Sequence, residues 1–260
     1  MALTGQRYVS SELSHFVGRG LKVEEQYSLL LKILKEGWIT HPPHNPNVSG
    51  NLSVNTSTPF SSNRMYAPEI VCFCDIPTAD LGIHVGKYSP FGLSFSKDFI
   101  VRQGGCPVFY VPLQTAVRSS RDVPPEELMR LLQESRPEAL YEDISKRDYL
   151  DRMMGEYIAL IGTFRSWIIE NRSAPGVPDE HRRLMELERF LSFHIFSYIK
   201  FYDHTCADDH DDNYYLEREW RVVGNVNFSI EDIETIFMPK VFSKRFREDF
   251  PSYCSQFVFV

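Results

Sequence analysis

The chain has 260 residues, 43% of them hydrophobic and 24% charged, with a net charge of -7. That length supports one large domain or two small ones with a sizeable core. The acidic balance argues against a broad electrostatic grip on nucleic acid, and no stretch approaches the roughly 18 uninterrupted apolar residues of a membrane helix.

The opening Met-Ala-Leu-Thr-Gly-Gln-Arg lacks an apolar run of signal-peptide length. Five cysteines, Cys72, Cys74, Cys106, Cys206 and Cys254, fit neither a disulfide framework nor a four-cysteine zinc site. Both observations predict a cytoplasmic protein with reduced thiols. The chain has 19 Phe and 13 Tyr, which suit a well-packed core or a pocket that stacks planar groups.

In chain order, Leu13 to Val17 is expected as a first strand, with His15 on the face of Leu13 and Val17. Glu24 to Glu36 has helical periodicity through Tyr27, Leu30, Leu31 and Leu34, and Gly37 is a natural residue to end it. Residues 41–68 open with His41-Pro42-Pro43-His44-Asn45-Pro46, continue rich in Ser, Thr and Asn, and read as a long loop able to lid a site. Glu69 to Pro77 is a buried strand that carries Cys72 and Cys74, expected as inert thiols. A short helix follows at about 79–87. Phe91 to Ser96 is a strand with Leu93 and Phe95 inward if Ser94 and Ser96 face a cleft, and 107–111 is another.

The middle is helical. Pro124-Pro125-Glu126-Glu127 starts a helix with proline and acids in its first turn. Residues 147–171 and 180–201 are long amphipathic helices. The short break at 173–178 predicts antiparallel packing. The acidic run 203–212 matches no calcium or zinc spacing, so a solvated loop is expected there and no metal. Then 214–224 reads as a strand ended by Gly224, with Glu217, Glu219 and Arg221 on one face and Arg218 and Trp220 on the other. A turn at 229–232, a strand at 233–238, a helix capped by Ser243 and a docked strand at 256–260 complete the chain.

Two glutamates about 7 Å apart on one strand repel each other and need a compensating partner. One reading is a charged edge strand that resists aggregation. The other is chemical. His15 on an early strand, Tyr88 or the Ser94/Ser96 pair in the middle and Glu217/Glu219 late can converge on one crevice. A carboxylate beside a ribose would stabilise the cation-like transition state of N-glycosidic cleavage. An aromatic ring would stack on the base, and the second glutamate would take the acceptor's proton.

Several segments, in this order, resemble the AbiGi family of bacterial abortive-infection proteins. They are His15-Phe-Val-Gly, Leu30-Leu-Lys-Ile-Leu-Lys-Glu-Gly, Val71-Cys-Phe-Cys-Asp-Ile-Pro, Tyr88-Ser-Pro-Phe-Gly-Leu-Ser-Phe-Ser-Lys, Pro107-Val-Phe-Tyr and Tyr215-Leu-Glu-Arg-Glu-Trp-Arg. The resemblance implies defence against phage, with a partner protein from the same operon and an antitoxin role. The succession of His15, Tyr88 and Glu217-Arg218-Glu219 is also similar, more distantly, to ADP-ribosyltransferase-like folds such as DarT. By that similarity Glu219 and Glu217 would be catalytic. His15, Tyr88, Ser94, Ser96 and Arg221 would bind NAD as substrate. Phe95 stands where the related serine strand carries threonine.

The expected fold is therefore α+β, a mixed or antiparallel sheet like that of the ADP-ribosyltransferases. It forms a single domain over 1–260, with a helical-pair insertion at about 124–201. Two functions follow: an NAD-dependent ADP-ribosyltransferase, or a non-enzymatic antitoxin or sensor that uses its acidic surface to hold a basic toxin.

Overall fold

The computed structural model describes residues 10–47, 50–121, 123–207, 210, 215–253 and 256–260. It begins with β1 (Glu12–Phe16) and α1 (Val23–Glu36). In α1, Tyr27, Leu30, Ile33 and Leu34 are buried along one side. The Glu25 carboxylate accepts the Lys22 backbone N–H at 2.9 Å and closes the first turn. Gly37 ends the helix at φ 68°, its N–H on the Ile33 carbonyl. A Cβ there would stand 2.7 Å from the Phe228 carbonyl oxygen, so glycine is required on two counts.

β2 (Trp38–Ile39) follows. The stretch expected as loop over 41–68 contains β3 (Leu52–Val54), a 3-10 turn at Phe60–Ser62 and β4 (Tyr66–Pro68), which pairs with β3. Its polar composition hid two anchors, Phe60 and Met65, both buried. Local side-chain bonds such as Ser57 Oγ to Asn55 Oδ1, at 2.6 Å, hold the turn between them. Next come β5 (Ile70–Cys74), a 3-10 turn at Thr78–Asp80, α2 (Gly82–Lys87), β6 (Gly92–Ser96) and α3 (Lys97–Arg102). β7 (Cys106–Pro107), β8 (Phe109–Pro112) and β9 (Ala116–Ser120) lead to α4 (Pro125–Gln133).

β10 (Tyr141–Ser145), α5 (Lys146–Glu170) and α6 (Val177–Phe190) follow. The helix expected through residue 201 stops at Phe190. The chain continues as a π turn (Leu191–Ile195) and a 3-10 turn (Phe196–Tyr198) into β11 (Ile199–Tyr202). The last elements are β12 (Glu219–Val223), β13 (Val226–Asn227), β14 (Ile233–Met238), α7 (Ser243–Asp249) and β15 (Gln256–Phe259). Ser243, expected to cap α7, is its first residue instead.

The chain divides into two compact units. The first comprises Met1–Leu52, Pro68–Phe109 and Tyr214–Val260. It holds a seven-stranded sheet in the order β15-β14-β6-β1-β5-β12-β7. β14 and β15 run parallel and the other pairs antiparallel, so the sheet is mixed, as expected.

Register assigns every side chain of this sheet to a face. Leu13 lies opposite Phe95, His15 opposite Leu93, and Phe73 opposite Trp220. These residues share the face that packs with Tyr27 and Leu30 of α1 and Phe246 of α7. Each large side chain buried there contributes about 1.5–3 kcal/mol. The other face carries Ser14, Cys74 and Glu219 in one row and Ser14, Ser94 and Thr235 in another. On that side Phe16, Cys74 and Phe237 pack with Ile76, Leu81 and Val85 around α2.

The second unit comprises Ser53–Ala67 and Tyr110–Asn213, and contains α4, α5 and α6. Phe60, Met65, Leu113, Met154 and Phe201 form one small core. Ile168, Val177 and Leu184 form another, between α5 and α6. Asp151 ties α5 to the 3-10 turn by accepting both the N–H and the hydroxyl of Ser61, at 2.8 and 2.7 Å. β9 and β10 pair as an antiparallel ribbon, Tyr141 opposite Ser120 and Ser145 opposite Ala116.

Candidate functional site

The stretch expected as one strand over 214–224 is two local structures. Tyr215–Glu217 is a 3-10 turn and the strand starts at Glu219. The break is Arg218, whose φ of 45° is left-handed and interrupts extended backbone. The Arg218 carbonyl accepts the Asp75 N–H at 3.2 Å. Its guanidinium lies 3.5 Å from the Asp75 carboxylate, which Lys97 also reaches at 2.8 Å. Glu217 and Glu219 are therefore not successive residues of one strand face. Tyr214 lies outside the described residues.

Both glutamates are buried, and both are engaged. Glu219 accepts Arg221 Nε at 2.7 Å, from two residues along the same strand face. Glu217 accepts the Tyr88 hydroxyl and forms an ion pair with Lys87 at 3.0 Å. Lys87 ends α2 and Tyr88 follows it, so this helix delivers both partners of Glu217. Burial, the Glu217 charge and their hydrogen bond all push the Tyr88 phenol far up, which keeps it a donor. Arg19 sits over the Tyr88 ring at 4.9 Å, and Phe16 stacks on it at 6.1 Å.

His84 lies one turn before Tyr88, with ring centroids 6.2 Å apart. It is buried, and among the described residues neither ring nitrogen has a hydrogen-bond partner. Burial lowers its pKa, against the raising effect of the Glu217 charge. Cys74, on the sheet face of Glu219, is pushed up to about 12, chiefly by burial and then by Glu217. Its thiol is inert, as expected for a buried cysteine. Cys72 is exposed, which corrects the expectation for its neighbour, and Cys254 lies outside the described residues.

The remaining expected site residues are placed elsewhere. His15 is on the opposite sheet face from Glu219, tilted against Phe73 at 5.6 Å, with Nδ1 on the Cys72 carbonyl at 2.8 Å. Burial lowers its pKa and the carbonyl bond opposes that shift. Ser94 is fully buried and donates to Glu12 at 2.5 Å, and Thr235 donates to the same oxygen at 3.2 Å. Ser96 caps α3 by accepting the Phe99 N–H at 3.2 Å. So Tyr88 joins Glu217 and Arg221 joins Glu219, the Glu219 charge also acts on Tyr88, and His15 does not join them.

Sequence reasoning missed Lys87, Arg19 and His84. The adjacency Lys87-Tyr88 and the i, i+4 spacing of His84 and Tyr88 on a short helix were the available signals. A cavity of about 100 Å³ lies apart from the cluster, lined by His41, Pro42, Pro43, Asn45 and Glu69. Ligand pockets usually run from about 300 to 1,000 Å³. In the acidic run, Asp203 is partly exposed and accepts the Thr205 N–H and hydroxyl at 2.9 and 2.6 Å, which lower its pKa. Asp208, Asp209, Asp211 and Asp212 lie outside the described residues. Among the described residues no cluster of three metal-ligating side chains occurs, and no helix is long and apolar enough to cross a membrane.

No curated protein and no solved structure matches this chain. A family model described as "Putative abortive phage resistance protein AbiGi, antitoxin" matches residues 51–257. That span takes in α2 and its Lys87-Tyr88 end, the Glu217 turn and the Glu219 strand, and the chain belongs to the AbiGi family of abortive phage resistance proteins.

Proposed function

We propose that this protein is the non-enzymatic antitoxin of an abortive-infection pair, binding and neutralising a toxin of the same defence system. One observation carries the reading. The carboxylates that glycosidic chemistry would need are buried against the protein's own cations and phenol, Glu219 on Arg221 and Glu217 on Lys87 and Tyr88. A carboxylate that stabilises a ribosyl cation must face the substrate. The imidazole expected to hold NAD stands on the other side of the sheet. The polar cluster is thus a strut that fixes α2 and the Glu217 turn to the sheet. A net charge of -7 suits association with a basic partner.

The test is expression in a bacterium, alone and beside the toxin gene of the same operon. Alone, the protein should be harmless and leave cellular NAD unchanged. Beside the toxin it should restore growth, and Glu219→Gln should still restore it. Toxicity of the protein alone, relieved by Glu219→Gln with NAD recovering, would establish the transferase instead.

A further inference from the structure

We propose that the outward face of α5, from Met153 to Glu170, is the docking face for an amphipathic helix with basic flanks. This rests on the reading that the protein binds a partner protein, and it names the surface and the chemistry of that partner. α5 has two apolar stripes. Met154, Ile161 and Ile168 are turned into the cores of their own unit. Met153, Leu160, Phe164 and Trp167 are turned outward, with 40%, 68%, 37% and 45% of their surfaces exposed. Their spacing of seven, four and three residues keeps them within one narrow arc of the helix. It is the spacing by which one helix packs along another, knobs into holes. Phe164 and Trp167 lie stacked at 5.7 Å with planes 6° apart, a flat aromatic platform on that arc.

The charges beside the stripe give the partner's sign. Every acid of α6 has an arginine: Asp179 and Glu186 on Arg182, Glu180 on Arg183, Glu188 on Arg165. On α5, Asp148 bonds Ser145 and Asp151 bonds Ser61. Glu156 and Glu170, exposed on the flank of the stripe, have no cation within ion-pair distance among the described residues. Arg152 shares that flank, and the Ser119 hydroxyl engages its guanidinium. A second copy of the chain would offer this flank a single cation, Arg152, against two acids. A helix carrying Lys or Arg beside its apolar seam would pair with them instead.

The experiment uses the full chain and two synthetic helical peptides with leucines at heptad spacing, one flanked by lysines and one by glutamates. The chain has three tryptophans, so a Trp38→Phe, Trp220→Phe background isolates Trp167 emission. The lysine-flanked peptide should blue-shift that emission and bind at least about tenfold more tightly than the glutamate-flanked one, and Leu160→Glu with Phe164→Glu should abolish both effects. Equal binding of the two peptides, no binding of either, or a dimer of the chain alone that Leu160→Glu dissociates would each overturn the proposal. Growth rescue separates it from the antitoxin reading. Rescue that survives Leu160→Glu with Phe164→Glu refutes the docking face and keeps the antitoxin. Peptide binding without any rescue by the parent protein refutes the antitoxin and keeps the face.

Discussion

The two units treat apolar side chains in opposite ways. In the first, large buried hydrophobic residues outnumber exposed ones about three to one, and most belong to one continuous core. In the second, exposed ones outnumber buried ones, and the buried ones are split between small clusters. A sheet flanked by helices can close over its core, whereas a helical pair buries only the stripe that its partner helix covers. The first unit is thus built for rigidity, and the second leaves surface that folding alone does not use.

The largest effects should fall in the first unit. Phe95 is fully buried, edge-on to Phe73 and Phe228. Phe95→Ala should cost about 3–5 kcal/mol. Arg221→Met strips Glu219 of its guanidinium while the carboxylate stays buried, and should cost a similar ~3–5 kcal/mol. Chemical unfolding followed by Trp38 and Trp220 fluorescence in a Trp167→Phe background measures both. A loss under about 1 kcal/mol for either would contradict the packing described for this unit.

A smaller loss is expected in the second unit. Leu184 is buried against Ile168 and Val177 in a cluster with few other members. Leu184→Ala should cost about 2 kcal/mol, the low end for such a change, because a small cluster relaxes into the space. Hydrogen exchange along α5 and α6 should speed up accordingly. A loss as large as that of Phe95→Ala would erase the contrast between the units.

The same contrast explains what could be read in advance. Helix α1 was legible because Tyr27, Leu30 and Leu34 recur at helical spacing and Gly37 marks the end. The alternation of Leu93 and Phe95 against Ser94 separated the two faces of that strand, but the open cleft expected at Ser94 is closed, since Ser94 is as buried as Leu93 and Phe95. Pairing His15 with Leu13 and Val17 was correct, and the same rule should have sent the imidazole to the core. A face shared with Leu13 cannot also be the face of Glu219 once β1, β5 and β12 pair in register. The break at Arg218 was not legible, since a left-handed arginine leaves no composition signal and depends on Asp75, far away in sequence. The β9–β10 ribbon was missed because its strands bracket a helix and its side chains are mostly exposed.

Acidification should distinguish the units without any change of volume. His84 is buried near Glu217 and Lys87, and its pKa is lowered from the ordinary 6.5. The unfolded chain then binds more protons than the folded one between the folded pKa and 6.5, so stability falls as pH drops through that window. Above 6.5 both states are neutral at this site and the effect vanishes. The first unit's denaturation midpoint should therefore be lower at pH 5.5 than at 7.5, and His84→Phe should flatten that difference. His15, also lowered, adds in the same direction from the other sheet face. An unchanged pH dependence in His84→Phe would mean that the imidazole charges in place, stabilised by Glu217.

The smallest stability effect is the most informative for function. Leu160 is 68% exposed on the outward stripe of α5, so folding gains little from it. Leu160→Ser should change stability by no more than about 0.5 kcal/mol, as for other surface positions. Exposed apolar side chains in register along a helix are otherwise an aggregation hazard, so replacing one should raise solubility as well. If the stripe exists to receive a partner helix, the variant will fold normally and lose toxin neutralisation, a separation that no core substitution can give. A Leu160→Ser protein that is strongly destabilised would mean that the residue packs inward, and the open face would belong to the unit's own core.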